Sequence, residues 1–317
     1  MSKKRERKQT ITQQIMQSVY AKLESYDHDL TRKQYARQTK QYIKFCREKY
    51  NVHSFEECSE HIQDYSDFLQ RSGYSASTIH TYLSSVCAVF DEKLERISKP
   101  KRFVAEYKKG RNKALPTAQN DLDNPKFVYL TEFQCRVGLR RQELTKITGN
   151  DLVYDESGYL CVRVLKGKGG KMQLQRILDE DIEFIKSYFD RTKTDEYIFD
   201  KKLFKNDLNL HQLRAEAARN YYRYLIDKIN ADSSFRAQLE KEIKDRWNAM
   251  NRSKNGKIKP FLHSEMYGIY SLRGKNRQLA IVRGLSVHYD KTVLLATSIF
   301  KLSHWRNDVT IASYMLA

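Results

Sequence analysis

A tyrosine hydroxyl ionises near ~10 in water and is a poor nucleophile at neutral pH, so a tyrosine that attacks needs cations and proton carriers around it. The stretch Leu302-Ser-His-Trp-Arg-Asn-Asp-Val-Thr-Ile-Ala-Ser-Tyr314 sets a His–Trp pair close before such a tyrosine. It reads as helix, with Ile299, Leu302, Val309 and Ala312 as apolar contacts and Ser303 or Asp308 able to cap a turn. With 21 tyrosines in the chain, any single one is more often core or surface, so the weight falls on what lies upstream. In Val137-Gly-Leu-Arg-Arg-Gln-Glu-Leu144, Gly138 permits a tight turn, and Arg140 and Glu143 share a helical face. Lys166-Gly-Lys-Gly-Gly-Lys171 puts Lys168 on a glycine-rich tip, where a lysine can reach a ligand unhindered. His211-Gln-Leu-Arg214 places a histidine and an arginine on one helical face.

The bulk composition limits what these groups can act on. Lys+Arg number 58 against 39 Asp+Glu, a net charge of +19 that attracts a polyanion and favours counterion release from phosphates. Charge alone fits a soluble basic protein or one on acidic lipid equally well. No run approaches the ~20 apolar residues of a membrane span, and no apolar signal segment follows the basic start, so a cytoplasmic protein is expected. Five scattered cysteines without a CxxC fit reduced thiols and suggest no metal site.

The elements that must position the chemical groups fall into two domains, as 317 residues suggest. Residues 1–114 read as a helical bundle. Ile11, Ile15, Val19 and Leu23 share a face; Thr31 can cap a helix with Tyr35, Tyr42, Ile43 and Phe45; one helix runs from Ser54 to Gln70; Gly73 breaks it; and Ser75 caps the next. Arg32, Lys33, Arg37, Lys40, Lys44 and Arg47 form a basic face that suits duplex phosphates, although most such faces are merely solvated. A basic, proline-containing stretch around residues 99–125, including Arg111, reads as an interdomain linker, narrowed to 115–125. Residues 126–317 then give a short helix capped by Thr131, a hairpin from Leu152 to Val164 turning at Asp155–Gly158, a strand Met172–Leu178, and helices at 180–190 and 208–230. The expected fold class is mainly α with a small β-sheet.

Together, Gly138-Leu-Arg-x-x-Glu-Leu144, Gly167-Lys-Gly-Gly170 on a hairpin, His211-x-Leu-Arg214, and Leu302-Ser-His304 before Tyr314 resemble the tyrosine recombinase (phage integrase) family. Tyr74-Ser-Ala-Ser-Thr-Ile-His-Thr-Tyr-Leu83 resembles that family's core-binding domain, so the likeness spans nearly the whole chain. The resemblance implies a helical core-binding domain, a mixed α/β catalytic domain, and an integrase or resolvase of a bacterial mobile element. It makes Arg140 and Arg214 the phosphate clamp, Glu143 the acid that fixes the clamp, Lys168 the general acid, His211 the base-like histidine and Tyr314 the nucleophile. Two arginines holding the non-bridging oxygens need no metal and no other cofactor. The implied product is a 3′-phosphotyrosine and a free 5′ hydroxyl. The implied partner is double-stranded DNA at a specific site, bound by a protein monomeric when free and tetrameric on synapsed DNA, in a nucleoid-associated state.

Three points stay open in the sequence. About 90 residues separate Arg214 from His304, so residues 231–270 read as an insertion; its stripe of Leu239, Ile243 and Trp247 suits either packing on its own domain or docking to another protomer. With Met315-Leu-Ala317 too short to be donated, that stripe is one candidate protomer contact and the helix around Tyr314 the other. Tyr270-Ser-Leu-Arg273 also resembles the His-x-x-Arg motif and competes with His211 and Arg214, which match it better. Either His304 or Trp305 can fill the last active-site position, each offering a ring N–H. A catalytically weak architectural DNA-binding protein and a type IB topoisomerase are the alternatives in function.

Overall fold

A computed structural model describes residues 9–103, 125–167, 172–204, 208–252, 260–261 and 263–316. The chain divides into two compact units, 1–107 and 108–317. It is mainly α-helical, with one three-stranded and one two-stranded antiparallel sheet among the described residues.

In the first unit, Thr10 and Gln13 cap each other reciprocally and start α1 (Ile11–Leu23). Helix α2 (Asp29–Tyr50) begins after His28, so Thr31 lies inside it and is not its cap; the acidic Asp29 in the first turn complements the helix dipole instead. Ser54 caps α3 (Phe55–Cys58), and a 3-10 turn at Ser59–His61 leads into α4 (Ile62–Arg71), where the sequence suggested one continuous helix. Gly73, at φ 74°, breaks the chain, and Ser75 caps α5 (Ala76–Val89). Tyr42, Phe45 and Tyr65 meet at the centre of these helices, Tyr42 and Phe90 edge to face at 5.6 Å.

The second unit opens with α6 (Pro125–Val137), proline taking the first helical position where its missing N–H costs nothing. Thr131 is buried in mid-helix, its hydroxyl donating back to the Val128 carbonyl at 3.1 Å, and caps nothing. A turn through Gly138 leads to the one-turn helix α7 (Arg141–Leu144). Strands β1 (Leu152–Tyr154), β2 (Leu160–Val164) and β3 (Gln173–Arg176) form an antiparallel meander with Val162 opposite both Leu152 and Gln175. The β1–β2 turn is held by Asp155, whose carboxylate accepts the Ser157 and Tyr159 N–H groups. Helices α8 (Ile182–Asp190), α9 (Leu210–Ala231) and α10 (Ser234–Arg252) follow. After the short α11 (His263–Met266), strands β4 (Ile269–Ser271) and β5 (His288–Asp290) flank α12 (Gly274–Val282). Helix α13 (Lys291–Ala296) runs into a π-helical turn, Thr297–Lys301; α14 (Asn307–Thr310) and a second π turn, Ile311–Met315, carry the chain past Tyr314.

The stripe on α10 turns inward. Leu239 and Ile243 are buried in one cluster with Tyr221, Val293 and Phe300, and Trp247 meets Phe261 and Trp305 edge to face. Glu242 on the same helix pairs with the buried Arg176, which also binds Asp155. This face is therefore core of its own unit, which corrects the docking role considered for it.

Candidate active site

Tyr314 is the meeting point of α9 and the C-terminal turns, and its side chain is 6% exposed. Arg214, one turn into α9, donates from Nε to the Tyr314 hydroxyl at 3.3 Å. Its other nitrogens donate to the Gly138 carbonyl and, at 2.9 Å, to the Leu302 carbonyl. The α9 backbone comes this near because residue 138 has no side chain: a Cβ there would stand 2.9 Å from that of Ala217. Gly138 also holds φ 75°, a left-handed conformation that favours glycine.

Arg140 stands at the start of α7 and reaches the same carbonyl as Arg214, its Nη2 lying 3.5 Å from Leu302 O. Glu143 fixes it, accepting the Arg140 N–H at 2.8 Å on one carboxylate oxygen and Nη1 at 2.6 Å on the other. One carboxylate oxygen also lies 3.8 Å from Arg214. Gln173 on β3 accepts from Arg140 at 3.3 Å. Two guanidinium groups against one carboxylate leave one positive charge at the site. Burial pushes the Arg214 pKa below its ordinary value, and Arg140 adds to this while Tyr314 and Glu143 oppose it. An arginine stays charged through such a shift, so the site holds a desolvated cation whose attraction for an anion is weakly screened. A cavity of about 230 Å³ opens between Arg140, Arg141 and the N-terminal residues of α9, with His211 and Arg214 on its wall.

The rings of His211 and His304 flank Tyr314, with centroids at 5.3 and 6.1 Å. His304 Nδ1 accepts the Arg306 N–H at 3.3 Å, so the ring proton belongs on Nε2. That Nε2 is buried without a hydrogen-bond partner among the described residues. Burial, with Arg214 and Arg140 nearby, pushes the His304 pKa down to about 4, which keeps the ring neutral at physiological pH. His304 thus offers one free N–H donor beside the tyrosine.

Of the residues the sequence singled out, Arg140, Glu143, His211, Arg214, His304 and Tyr314 come together. Trp305 packs against Trp247 on α10, with ring centroids 5.2 Å apart, so it is His304 that lies against Tyr314. Arg273 is exposed at the start of α12, with no contact to the Arg140–Arg214–Tyr314 cluster among the described residues. Lys168 and Arg111 lie outside the described residues. On α2, Lys33, Arg37, Lys40 and Lys44 form one exposed stripe, partly neutralised: Asp29 pairs with Arg32 and Lys33, and Glu48 with Lys44. Arg47 is half-buried and holds the Val52 carbonyl, so it leaves that face.

Near Tyr314, Ser303 does not cap a helix; it holds φ 56°, and α14 starts after Arg306 with no side-chain cap. The buried positions are Asn307, Thr310, Ile311 and Tyr314, whereas Val309 and Ala312 are only half-buried. Sequence reasoning missed four participants: the Leu302 carbonyl, Gln173, Lys301, and Arg219, whose Nη1 donates to the Tyr314 carbonyl at 3.0 Å. Lys301 is fully buried and donates to the carbonyls of Arg136 at 2.6 Å and Arg176 at 2.8 Å, tying α6, β3 and the segment before Leu302 together. Burial lowers its pKa to about 8. A lone lysine in the apolar run Ile299-Phe-Lys-Leu302 was the available signal.

Among the described residues, no group of three or more His, Cys, Asp or Glu side chains could hold a metal ion, and no helix is long and apolar enough to cross a membrane. No protein-family model matches the chain, and no curated protein matches it. Among solved structures, one described as the crystal structure of XerA recombinase aligns over 66% of this chain and 84% of that chain, at 19% identity and a TM-score of 0.23. A likeness that loose carries no argument, and the functional reading rests on the side-chain geometry.

Proposed function

We propose that this protein is a site-specific DNA recombinase that cuts and rejoins duplex DNA through a 3′-phosphotyrosine intermediate. One observation supports this above all: Arg214 donates to the Tyr314 hydroxyl while Arg214 and Arg140 converge on a single oxygen acceptor, the Leu302 carbonyl. Two cations aimed at one oxygen, beside a tyrosine, suit a phosphodiester better than a neutral substrate. In this reading the phosphate takes over the donors now on Leu302 O. The Tyr314 oxygen attacks phosphorus and loses its proton, the bond from phosphorus to the 5′ oxygen breaks, and that oxygen gains a proton. Arg140, Arg214 and the His304 N–H stabilise the charge that builds on the non-bridging oxygens. Lys168 is the proposed donor to the leaving oxygen, and His211 the proposed proton carrier near the tyrosine. Religation is the reverse attack by a 5′ hydroxyl, so the bond energy is conserved. Exchange between two duplexes calls for four protomers on synapsed DNA.

A nicked duplex that loses its 5′ fragment after cutting tests the reading, because it traps the intermediate. The wild-type chain gives a covalent 3′ adduct, and Tyr314→Phe binds the duplex without forming one. Binding without adduct by the wild type means an architectural protein. Adducts together with relaxed but never recombined plasmid mean a topoisomerase.

A further inference from the structure

We infer that Arg219 is a positioning residue for Tyr314, holding the backbone end of the tyrosine while Arg214 meets its hydroxyl end. The inference rests on the reading of Tyr314 as the nucleophile. Arg219 Nη1 donates to the Tyr314 carbonyl at 3.0 Å, and Arg214 Nε donates to the Tyr314 hydroxyl at 3.3 Å. Both arginines project from α9, five residues apart. One rigid helix therefore grips the tyrosine at both ends. The hydroxyl cannot drift from Arg214 unless the carbonyl also leaves Arg219 or the ring changes rotamer.

The local backbone explains why such a grip matters. Tyr314 lies in a π turn, Ile311–Met315, that closes the final helical segment. The last turn of a helix leaves carbonyls without intrahelical partners and carries partial negative charge, which cations satisfy. Such π geometry is rare and is mostly confined to single turns. Arg283, just past α12, repeats the device two residues on, donating from Nη1 to the Leu316 carbonyl at 2.7 Å. Guanidinium groups from two separate elements thus fix the carbonyls at and after the tyrosine. Neither arginine belongs to the motifs that mark the phosphate clamp.

The test uses the full chain and the nicked trapping duplex. Arg219→Ala is expected to slow adduct formation by about 10- to 100-fold, the scale of a displacement near 1 Å at a reacting group. Duplex affinity and the thermal midpoint should stay at wild-type values. A merely structural arginine would not respond to chemistry, so rescue is the deciding readout. Arg219→Lys, or millimolar guanidinium ion added to Arg219→Ala, should recover part of the lost rate. Adduct formation by Arg219→Ala at the wild-type rate overturns the inference while leaving the recombinase reading intact. So does a loss that tracks a lowered midpoint or weaker DNA binding and that neither lysine nor guanidinium restores. Absence of adduct from the wild type sinks the recombinase reading, and this inference with it.

Discussion

The stripe along α2 and the pair Arg140–Arg214 carry the same kind of charge in opposite surroundings. Lys33, Arg37, Lys40 and Lys44 stand in water, three or four residues apart on one helical face, and half of them already pair with neighbouring carboxylates. Arg214 is 1% exposed, and Arg140 is locked by two bonds to Glu143. In solvent a cation adds affinity that salt erodes, without regard to geometry. In the site Arg214 is fully desolvated and Arg140, 29% exposed, partly so, a cost that an anion held at a fixed place offsets. On the proposed reading, the difference separates holding DNA from reacting with it.

The largest expected effect comes from breaking the buried side. Arg214→Ala should slow adduct formation by about 10²- to 10³-fold, the scale for losing one transition-state donor. Arg273→Ala, at an exposed arginine away from the cluster, should leave the cutting rate unchanged. Single-turnover cleavage of the nicked duplex measures both, and a reversed pattern would hand the second-arginine role to Arg273.

The exposed side should respond differently. Arg37→Ala with Lys40→Ala removes two cations that have no ion-pair partner among the described residues. If both touch phosphates, the slope of log K against log salt becomes shallower by about 2, at ~0.9 per contact, while cutting at saturating protein is unaffected. An unaltered salt slope would mean that this face is only solvated.

A pH titration sharpens the contrast further. The His304 pKa is pushed from 6.5 to about 4 by burial and the two arginines, so between those values the unfolded chain binds more protons than the folded one. Stability is then whole above about pH 6.5 and declines as the pH falls toward 4. His304→Gln should flatten that part of the profile in urea melts; an unchanged slope would place the acid sensitivity elsewhere. The smallest effect belongs to Ser303, whose φ of 56° favours glycine. Ser303→Gly should raise stability by up to about 1 kcal/mol, read from the urea midpoint with an unchanged m-value.

How much of this was legible in the sequence depended on the kind of signal. The cap at Ser75, a hydroxyl followed by an apolar face, could be read locally, as could the Asp155–Gly158 turn; the caps at Thr10 and Ser54 emerged only in the structure. Thr31 and Thr131 misled because the same side chain fits inside a helix, where Thr131 bonds back to its own helix's carbonyl. The clustered residues were legible through the resemblance that their motifs carry in order; chemistry alone asked only for cations and proton carriers near a tyrosine. The Leu302 carbonyl was not, because a main-chain acceptor has no letter. Arg219 and Lys301 were hidden for a related reason: each acts on a carbonyl whose position only the tertiary fold defines. The inward turn of the Leu239–Ile243–Trp247 stripe could not be read either, as an amphipathic face looks alike whether it meets its own core or a partner.

The central claim is that Tyr314 becomes covalently bonded to DNA. Trapping the wild-type chain on a nicked duplex, digesting protein and DNA, and sequencing the nucleotide-bearing peptide by mass spectrometry tests it most directly. The account predicts a 3′-linked nucleotide on Tyr314. A nucleotide on any other residue, or a 5′ linkage, would contradict it.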